Sequence, residues 1–391
     1  MNKRILHEDV QDFINQHLKS NLTQIILKGS PFDGVPIQEI ATQIVAKEKS
    51  RKKLPTWFES DHIYYPPKLN LEQTSSEVTA NYKANLLSGK SIIDVTGGFG
   101  VDSFAFSKHF ETVTHCELNI ELSEIATHNF LQLGAAHIET VIGNGIEFIT
   151  NTPNSFDCIY IDPSRRNDAK GKVFLLEDCE PNIPENLDAL FQKSNSILVK
   201  VSPMLDITSA IGELHSVKEV YVVAVHSEVK ELLFLLEKDF DGSILLKTIN
   251  FQKEDPQTFE FTFQSEAIAR YDLPKKYLYE PNAAVLKSGG FQQVSEILRV
   301  DKLHQHSHLY TSNELIEFPG RIFEIQQVIK YDKKKVKSLL SEKKANITTR
   351  NFPKTVQQLR KELKLKDGGS DYLFFTTDLN DQFICIRSKK I

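Results

Sequence analysis

The spacing of apolar residues divides the chain into stretches with different rhythms. Over residues 1–70, apolar side chains recur at helical spacing, for example at Val10, Phe13, Ile14 and Leu18, so we predict a mainly helical region. From about residue 71 to 240, short apolar runs alternate with amphipathic stretches, which predicts parallel βαβ units. The predicted strands are 91–95, 112–116, 139–142, 156–161, 196–201 and 220–225, with 232–236 and 244–249 as final strands and helices at 121–133 and 186–193.

After about residue 250 the rhythm changes again. An alternating strand is predicted at 258–264, and a helix at 283–294 is interrupted by Gly289 and Gly290. The rest of the chain predicts strand 321–329, helix 333–342, strand 345–349, helix 355–363 and a hairpin around 378–381. The expected fold class is therefore α/β. A Rossmann-like, doubly wound sheet follows an N-terminal helical region and precedes small C-terminal α+β domains.

Composition narrows the class of protein. The 391 residues are 40% hydrophobic and 25% charged, which are globular proportions for a chain of more than one domain. No apolar run is long enough to cross a membrane, and the N-terminus lacks the apolar region of a secretory signal. Cys116, Cys158, Cys179 and Cys385 show neither metal-site nor disulfide spacing. We expect a cytoplasmic protein with no metal site and no membrane partner.

Charge is distributed unevenly. Residues 331–391 hold 15 Lys and Arg against 7 Asp and Glu, a net charge of +8, so the remainder carries −13 of the total of −5. A second basic cluster lies near the N-terminus and consists of Lys47, Lys49, Arg51, Lys52 and Lys53. This asymmetry is compatible with a nucleic-acid partner, although charge alone favours solvated helix faces.

A glycine-rich turn joins the first predicted strand of the sheet to a helix. Such a turn lets a ligand approach the backbone closely. In a site for S-adenosylmethionine (SAM), free backbone N–H groups would suit the carboxylate of the methionine end, and Asp94 would suit its ammonium. The Gly-x-Gly-x-x-Gly pattern of dinucleotide enzymes would need glycine where Ser103 stands, which argues against a nicotinamide enzyme. The candidate cofactor residues here are Asp94, Thr96, Gly97, Gly98, Phe99 and Gly100.

The next two strands end in further cofactor candidates. Glu117, with Leu118 beside it, follows the second strand at a distance that suits a carboxylate accepting the ribose hydroxyls. Asn144 and Gly145 follow the third strand, where the amide oxygen of Asn144 suits the adenine amino group. A surface glutamate and a turn asparagine are the alternatives for these two side chains.

The fourth strand delivers Asp162, Pro163, Ser164, Arg165 and Arg166 to the same edge of the sheet. Asp162 is a candidate to orient or deprotonate the methyl acceptor and to border the cofactor. Arg165 is a second catalytic candidate. Ser164, Arg165 and Arg166 are candidates for substrate binding, because guanidinium groups pair with phosphates or carboxylates. An internal Asp–Arg ion pair is the structural alternative.

These elements, in this order, resemble the class I SAM-dependent methyltransferases over residues 71–240. Further segments narrow the resemblance to a bacterial methyltransferase family with a C-terminal THUMP-like domain: Glu72–Glu77 with Thr79, Ala80 and Lys83, Leu176–Pro181, 279–284, 346–352 and 367–369. The resemblance implies SAM as cofactor. It also implies an N-terminal helical domain at 1–70, the methyltransferase domain at 71–240, a ferredoxin-like domain at 241–315 and a THUMP-like basic domain at 316–391. RNA is the implied partner, through that basic domain and the N-terminal basic cluster.

The acceptor stays open. Asp-Pro-Ser-Arg replaces the Asp/Asn-Pro-Pro-aromatic loop of amino-group methyltransferases, and no cysteine follows the fifth strand as pyrimidine C5 methylation by thiolate addition requires. A protein or small-molecule substrate, and a non-catalytic RNA-binding module with a vestigial SAM site, are the alternatives. His304, His306 and His308 alternate without flanking acids or cysteines, which favours a solvated strand or loop over a ligand set.

Overall fold

The structure is a computed structural model that describes residues 1–165, 175–340 and 342–391. Residue contacts divide the chain into two compact units. The first contains residues 1–218 and 234–241, and the second contains residues 219–233 and 242–391.

The first unit opens with helices, as the apolar spacing predicts. Helix α3 is the longest of this group, and it buries Ile37, Ile40 and Ile44 on one face. Trp57 lies in a short helix that starts at Pro55, a residue type favoured at the first helical position. The helices are α1 Glu8–Gln16, α2 Leu22–Lys28, α3 Ile37–Lys53, α4 Pro55–Glu59, α5 Lys68–Gln73 and α6 Glu77–Leu86.

A parallel sheet with flanking helices follows. Its strands β1 Ser91–Asp94, β2 Thr112–Glu117, β3 Ile138–Ile142, β4 Cys158–Ile161 and β7 Ser196–Val201 alternate with helices α7 Val101–Phe106, α8 Ile120–Gln132, α9 Gly145–Asn151, α10 Ile183–Leu190 and α11 Ile207–Glu213. Between β4 and β7, the short strands β5 Ser164–Arg165 and β6 Cys179–Glu180 form an antiparallel pair. Ile92, Ile159 and Leu198 are completely buried, as expected for strands covered on both faces.

The order of these strands is β7-β4-β1-β2-β3, and all four pairings are parallel. Strand β1 is therefore central, and the direction of winding changes between β1 and β4. Ligands of open α/β sheets bind at such a switch point, beyond the carboxyl ends of the strands. The chain order and sheet order confirm the predicted doubly wound fold.

The second unit contributes strands to two sheets. The hairpin of β8 Val217–Val225 and β9 Glu228–Glu237 straddles the boundary between the units, and β10 Leu245–Phe251 pairs in parallel with β8 and antiparallel with β11 Gln257–Thr262. The remaining elements are β12 Tyr277–Pro281, α12 Ala283–Ser288, α13 Phe291–Ile297, β13 Asp301–Lys302, β14 Tyr310–Ser312, β15 Gly320–Lys330, α14 Lys333–Ser338, β16 Asn346–Arg350, α15 Val356–Leu363, β17 Tyr372–Thr377 and β18 Phe383–Lys390. The predicted helix interruption is confirmed, since Gly289 ends α12 at φ +74°.

One seven-stranded sheet of this unit has the order β13-β14-β12-β15-β18-β17-β16. Along β17, Leu373 and Phe375 contribute to one hydrophobic core and Phe374 to another, so the strand alternation supplies both faces. Leu359 and Leu363 of α15 and Val336 of α14 complete the first of these cores. The two helices therefore cover one face of the sheet.

Candidate active site

The glycine turn after β1 is shaped by backbone conformations that glycine tolerates. Gly98 has φ +58° and Gly100 has φ +88°. A Cβ on Gly97 would clash with the His115 ring, and one on Gly100 with the Phe130 ring. The N–H groups of Gly97, Gly98 and Gly100 all donate within the protein, to Cys116 O, Glu117 Oε2 and Gly97 O. The expectation that the glycine N–H groups are free for a ligand carboxylate is therefore wrong, and these glycines contribute shape.

Asp94 is buried beneath this turn. It accepts hydrogen bonds from the Thr96 N–H at 3.0 Å and the Ser103 hydroxyl at 2.8 Å. Burial raises the pKa of Asp94 to about 7, and nearby Asp102 and Asp162 act in the same direction. The His115 ring lies 2.9 Å from the Ser103 hydroxyl, and burial lowers the pKa of His115 to about 3. A neutral imidazole therefore backs an aspartate whose charge changes near neutral pH.

Glu117 lies at the end of β2, against the turn. One carboxylate oxygen accepts from the Gly98 N–H at 2.8 Å and the other from the Asn119 N–H at 2.7 Å. Its neighbour Leu118 is 71% exposed, and Ile142, which pairs with Glu117 in the sheet register, is 55% exposed. A fixed carboxylate beside exposed apolar side chains suits a nucleoside, whose sugar is polar and whose base has apolar faces.

Asn144 and Gly145 begin helix α9. The Asn144 side-chain oxygen caps the helix by accepting from the N–H groups of Ile146 at 2.9 Å and Glu147 at 3.3 Å. A Cβ on Gly145 would clash with the Val95 carbonyl oxygen, so only glycine allows this close approach to the end of β1. Asn144 thus performs the turn role that the sequence left open, while its exposed amide still faces solvent.

Asp162 is held at the end of β4 by two contacts. Its backbone N–H donates to the Thr96 hydroxyl at 2.7 Å, and its carboxylate is paired with the Lys200 ammonium from β7. The Asp162 side chain is one-third exposed and that of Lys200 is nearly buried. The carboxylate is therefore fixed in position while it still borders the pocket.

The loop after Asp162 is described only in part. Ser164 and Arg165 pair with Glu180 and Cys179 through the backbone, which ties this loop to the segment 176–181. Arg166 lies outside the described residues, and the side chain of Arg165 is likewise not described.

A buried polar network beside the pocket was missed by the sequence reasoning. The Lys83 ammonium lies 3.2 Å from an Asp102 carboxylate oxygen, and the other oxygen accepts from Ser75 at 2.8 Å and Tyr160 at 3.0 Å. Burial opposes ionisation of Asp102, yet the Lys83 and Lys200 ammonium groups and these hydrogen bonds hold its pKa below the usual range. Lys83 shares the buried face of α6 with Thr79, Ala80 and Ala84, and a lysine on such a stripe is a signal of internal pairing.

These elements enclose one pocket at the carboxyl edge of the sheet. Its lining brings together six of the predicted residues with side chains from α5, the segment after it, α7 and β4. The predicted residues in the lining are Asp94, Thr96, Gly97, Gly98, Phe99 and Asp162, joined by Asn70, Gln73, Thr74, Val101, Asp102 and Tyr160. Glu117 reaches the same turn through Gly98, whereas Gly100, Leu118, Asn144 and Gly145 lie outside the lining.

The N-terminal basic cluster supports this pocket from α3. Lys49 pairs with Glu72 at 2.5 Å, and Lys53 donates to the carbonyl oxygens of Leu71 at 2.8 Å and Glu72 at 2.9 Å. Arg51 pairs with Glu48, and Lys47 is buried, which lowers its pKa. Two of these five cations, Lys49 and Lys53, therefore hold α5, whose residues Asn70 and Gln73 line the pocket.

The three alternating histidines lie outside the pocket lining. The solvated strand or loop expected for the three alternating histidines is wrong for His304, which is buried and pairs with Asp381 at 3.0 Å. Among the described residues, no group of three or more His, Cys, Asp or Glu side chains is placed to hold a metal ion. In the same residues, no helix combines the length and apolar character that a membrane span requires.

The pocket fits SAM by its shape and charge. Nothing lies nearer than 3.8 Å to a Cβ built on Gly98, so the backbone is open to a ligand there. The lining carries Asp94, Asp102 and Asp162, and Lys83 and Lys200 compensate only two of these carboxylates. SAM carries a sulfonium, an ammonium and a carboxylate, a net charge of one positive unit that complements this site.

Comparison with known proteins agrees with this geometry. Residues 73–177 match the ubiE/COQ5 methyltransferase family, residues 277–319 a ferredoxin-like domain and residues 320–388 a THUMP domain-like model. The last two matched segments contribute strands to the same seven-stranded sheet. Among curated proteins, no sequence matches this chain.

Solved structures extend the match to the whole chain. The crystal structure of a predicted methyltransferase from Porphyromonas gingivalis W83 is 32% identical, with a TM-score of 0.87 over 100% of this chain and 98% of that one. An rRNA methylase from Streptococcus thermophilus (12% identity, TM-score 0.32) covers 42% of this chain and 98% of its own. A predicted methyltransferase from Streptococcus mutans in complex with SAH (11%, 0.31) covers 41% of this chain and 96% of its own.

The similarity to the Porphyromonas protein spans both chains, and the family match over 73–177 contains the pocket residues from Gln73 to Asp162. The chain is a methyltransferase whose cofactor is SAM. It belongs to the same family as the Porphyromonas gingivalis protein, a family of class I SAM-dependent methyltransferases that carry a C-terminal THUMP-like domain.

Proposed function

We propose that this enzyme transfers a methyl group from SAM to RNA. The observation that carries the proposal is a surface of exposed lysines in the second unit, on α14, α15 and the segments between them. No ammonium group of this surface lies within 4.0 Å of a carboxylate in the residues that the structure describes. The lysine surface consists of Lys333, Lys334, Lys335, Lys337, Lys343, Lys344, Lys361, Lys364 and Lys366.

The lysine surface is concentrated by the fold. The backbones of Lys344 and Lys366 form a bridge, and the Lys366 N–H donates to Lys343 O at 2.9 Å. Helices α14 and α15 pack on one core, so their lysines belong to one compact element. Unpaired cations on one surface attract a phosphate backbone by releasing its counterions. The THUMP domain-like match of this region supports the same partner.

The cofactor contacts follow from the pocket. Thr96, Gly97, Gly98, Phe99 and Gly100 would surround the methionine end, with Asp94 receiving its ammonium. Because the glycine N–H groups are used internally, Gln73 and Thr74 are the lining side chains that would donate to its carboxylate.

The nucleoside end of the cofactor would lie against the ends of β2 and β3. Glu117 would accept the ribose hydroxyls, Leu118 would pack on the adenine, and Asn144 and Gly145 would meet its edge.

SAM supplies an activated methyl group, so the enzyme mainly has to align the acceptor with it. Asp162, fixed by Lys200 and Thr96, would accept a hydrogen bond or a proton from the acceptor. Arg165 would stabilise charge that develops there. Ser164, Arg165 and Arg166 would bind the flanking phosphates.

Labelling with tritiated SAM tests the proposal. Purified enzyme is incubated with total RNA and, separately, with total protein from a strain that lacks it. We expect label in the RNA fraction that ribonuclease removes, and at least about a hundredfold less in the Glu117→Ala variant, since the ribose contact anchors the cofactor. Lys253→Gln, an exposed change far from β2 in the sequence, serves as the control that keeps wild-type activity. Label in the protein fraction alone would contradict RNA as the substrate.

A further inference from the structure

A second group of cationic side chains in the second unit belongs to neither the pocket nor the lysine surface. It comprises Lys302, Arg321 and Arg350, with His306 and His308 beside them, and is here called the cationic cluster. Three segments noted in the sequence for other reasons contribute to it or anchor it: 279–284, the alternating histidines, and 346–352. Residues far apart in the chain thus meet without a role in the methyl-transfer pocket.

Two arginines of the cluster share one carboxylate. Glu280 is 5% exposed and accepts from Arg321 Nε at 2.7 Å and from Arg350 Nη2 at 3.2 Å. The arginine side chains are 43% and 33% exposed, so both stay partly accessible to solvent beside the buried acid. One negative charge therefore fixes two positive ones. The pair keeps a net charge of one positive unit and further N–H donors, in an orientation that is already set.

Lys302 adds a cation with no acid of its own. The residue is 2% exposed, and its ammonium donates to Gln305 O at 3.1 Å and lies 5.7 Å from the Phe291 ring centre. No carboxylate lies within 4.0 Å of this ammonium in the residues that the structure describes. A buried, unpaired charge is costly, and one carbonyl and aromatic faces compensate it only in part.

The histidines complete the cluster. The His308 ring stacks on the Phe291 ring, which also lies near the Lys302 ammonium, and the two ring centres are 3.6 Å apart. His308 Nδ1 and Arg350 Nε are both buried and make no hydrogen bond. Burial lowers the pKa of His308 to about 4, and Lys302, Arg350 and His306 contribute to the same decrease. The charges of the neighbouring basic groups therefore disfavour protonation of His308.

From this geometry we propose that the cationic cluster binds a phosphate group of the RNA strand. The source of the phosphate rests on the proposed function, whereas the affinity for phosphate does not. A phosphate would supply the second negative charge that Arg321, Arg350 and Lys302 lack, and guanidinium groups held in place bind such oxygens in pairs. Contact with a phosphodiester would hold the RNA strand without reading its bases.

Calorimetry with inorganic phosphate at constant ionic strength tests the site itself. Wild-type protein is expected to bind phosphate saturably. Arg350→Lys, which keeps the charge and the ion pair with Glu280, should bind about tenfold more weakly because it loses the planar fork. Lys253→Gln, an exposed lysine of the same unit, should bind like wild type. Equal affinities in all three proteins, or no heat in wild type, would overturn the site.

The Glu280→Gln variant distinguishes an anion site from an ion triad that merely holds the fold. Removing the carboxylate leaves both guanidinium groups without their shared charge. Phosphate should then bind several-fold more tightly, and it should restore part of the thermal stability that the substitution removes. A variant that is destabilised and gains nothing from phosphate would show that the three charges are structural only.

A second binding assay, with RNA as the ligand, identifies the source of the phosphate. Binding of a short single-stranded RNA, followed by fluorescence anisotropy, should weaken in Arg350→Lys about as much as phosphate binding does, and inorganic phosphate should compete with it. If phosphate binds but RNA affinity does not change, the site takes a free phosphate and the RNA part is wrong. If RNA is methylated in the labelling assay but phosphate never binds, only the further site fails.

Discussion

Two groups of cations, one in each unit, are used in opposite ways. Around the first unit's pocket, Lys49 and Lys53 hold α5, Lys83 pairs with Asp102, and Lys200 pairs with Asp162. In the second unit, the lysine surface has no carboxylate within ion-pair distance among the described residues. The two basic segments look alike in the sequence. In the first, every cation except Lys52 is buried, ion-paired or bonded to backbone carbonyls, whereas the second presents the lysine surface.

The difference shows why charge alone is a poor guide to a nucleic-acid partner. An exposed ion pair changes stability little, and a buried one contributes mainly when a single partner is removed. Exposed cations without partners attract phosphates most strongly, because no carboxylate offsets their charge. If the enzyme binds RNA, we therefore expect the contact at the C-terminal basic segment.

The largest effect that tests this comparison is expected at Lys83. The Lys83→Met variant leaves Asp102 buried without its ammonium, which should cost about 3–5 kcal/mol of unfolding free energy. Chemical denaturation measures this, with the exposed Lys90→Met as the control. A loss below about 1 kcal/mol would mean that Asp102 is compensated by other groups, and that the contrast between the units is weaker than stated.

The next effect concerns RNA affinity. Changing Lys333, Lys334 and Lys335 to Glu should weaken RNA binding by tenfold or more at low salt, on the order of 1.4 kcal/mol or above. The slope of log affinity against log salt should become shallower by about 0.9 for each phosphate that the variant no longer neutralises. Stability should stay within about 0.5 kcal/mol, because these side chains are exposed.

The control for that experiment is Lys253→Glu, which reverses the charge of one lysine elsewhere in the same unit. An equal loss of RNA affinity in the control would indicate that RNA binding depends on the overall charge of the unit and not on the lysine surface. An unchanged salt slope in the triple variant would contradict the lysine surface as the RNA site.

A third, smaller effect is the pH dependence of SAM affinity at Asp94, the pocket carboxylate that has no lysine partner among the described residues. Burial raises the pKa of Asp94 to about 7, so its carboxylate is mostly protonated at pH 6 and mostly ionised at pH 8. SAM affinity should therefore rise through this range, by at most about tenfold, as the charge that meets the ammonium forms. In the absence of SAM, the effect of pH on the free energy of unfolding has the opposite sign. The folded state holds this proton more tightly than the unfolded state, so stability should fall as the pH rises from about 4 to about 7.

The chain offers a direct readout for this titration. Trp57 is the single tryptophan, and its ring centre lies 4.6 Å from that of Phe99 in the glycine turn. Fluorescence titrations with SAM between pH 6 and 8 measure the affinity, and Asp94→Asn should flatten the profile. An unchanged slope in that variant would assign the titration to another group.

The fold and the identity of the cofactor could be predicted from the sequence because they depend on local order. Strand, glycine turn and helix follow one another, and parallel strands place Glu117 and Asp162 at one edge whatever the loops do. The pairing of Lys200 with Asp162 joins strands 38 residues apart. Only a lysine inside an otherwise apolar strand hinted at it. His304 and Asp381 are 77 residues apart, and no spacing rule predicts that contact. The acceptor side depends on such pairings, so it could not be derived.

The smallest effect is expected at the N-terminal basic cluster. Lys49 and Glu72 are 40% and 50% exposed, so Lys49→Ala should change the unfolding free energy by no more than about 1 kcal/mol. The substitution should nevertheless weaken SAM binding a few-fold, because Glu72 precedes Gln73 of the pocket lining and α5 would be held less firmly. The salt dependence of RNA binding should stay at the wild-type slope, since this cation already has a partner. Calorimetry and anisotropy on the same preparation measure both quantities. A shallower salt slope with unchanged SAM affinity would reverse the assignment and make the N-terminal cluster part of the RNA surface.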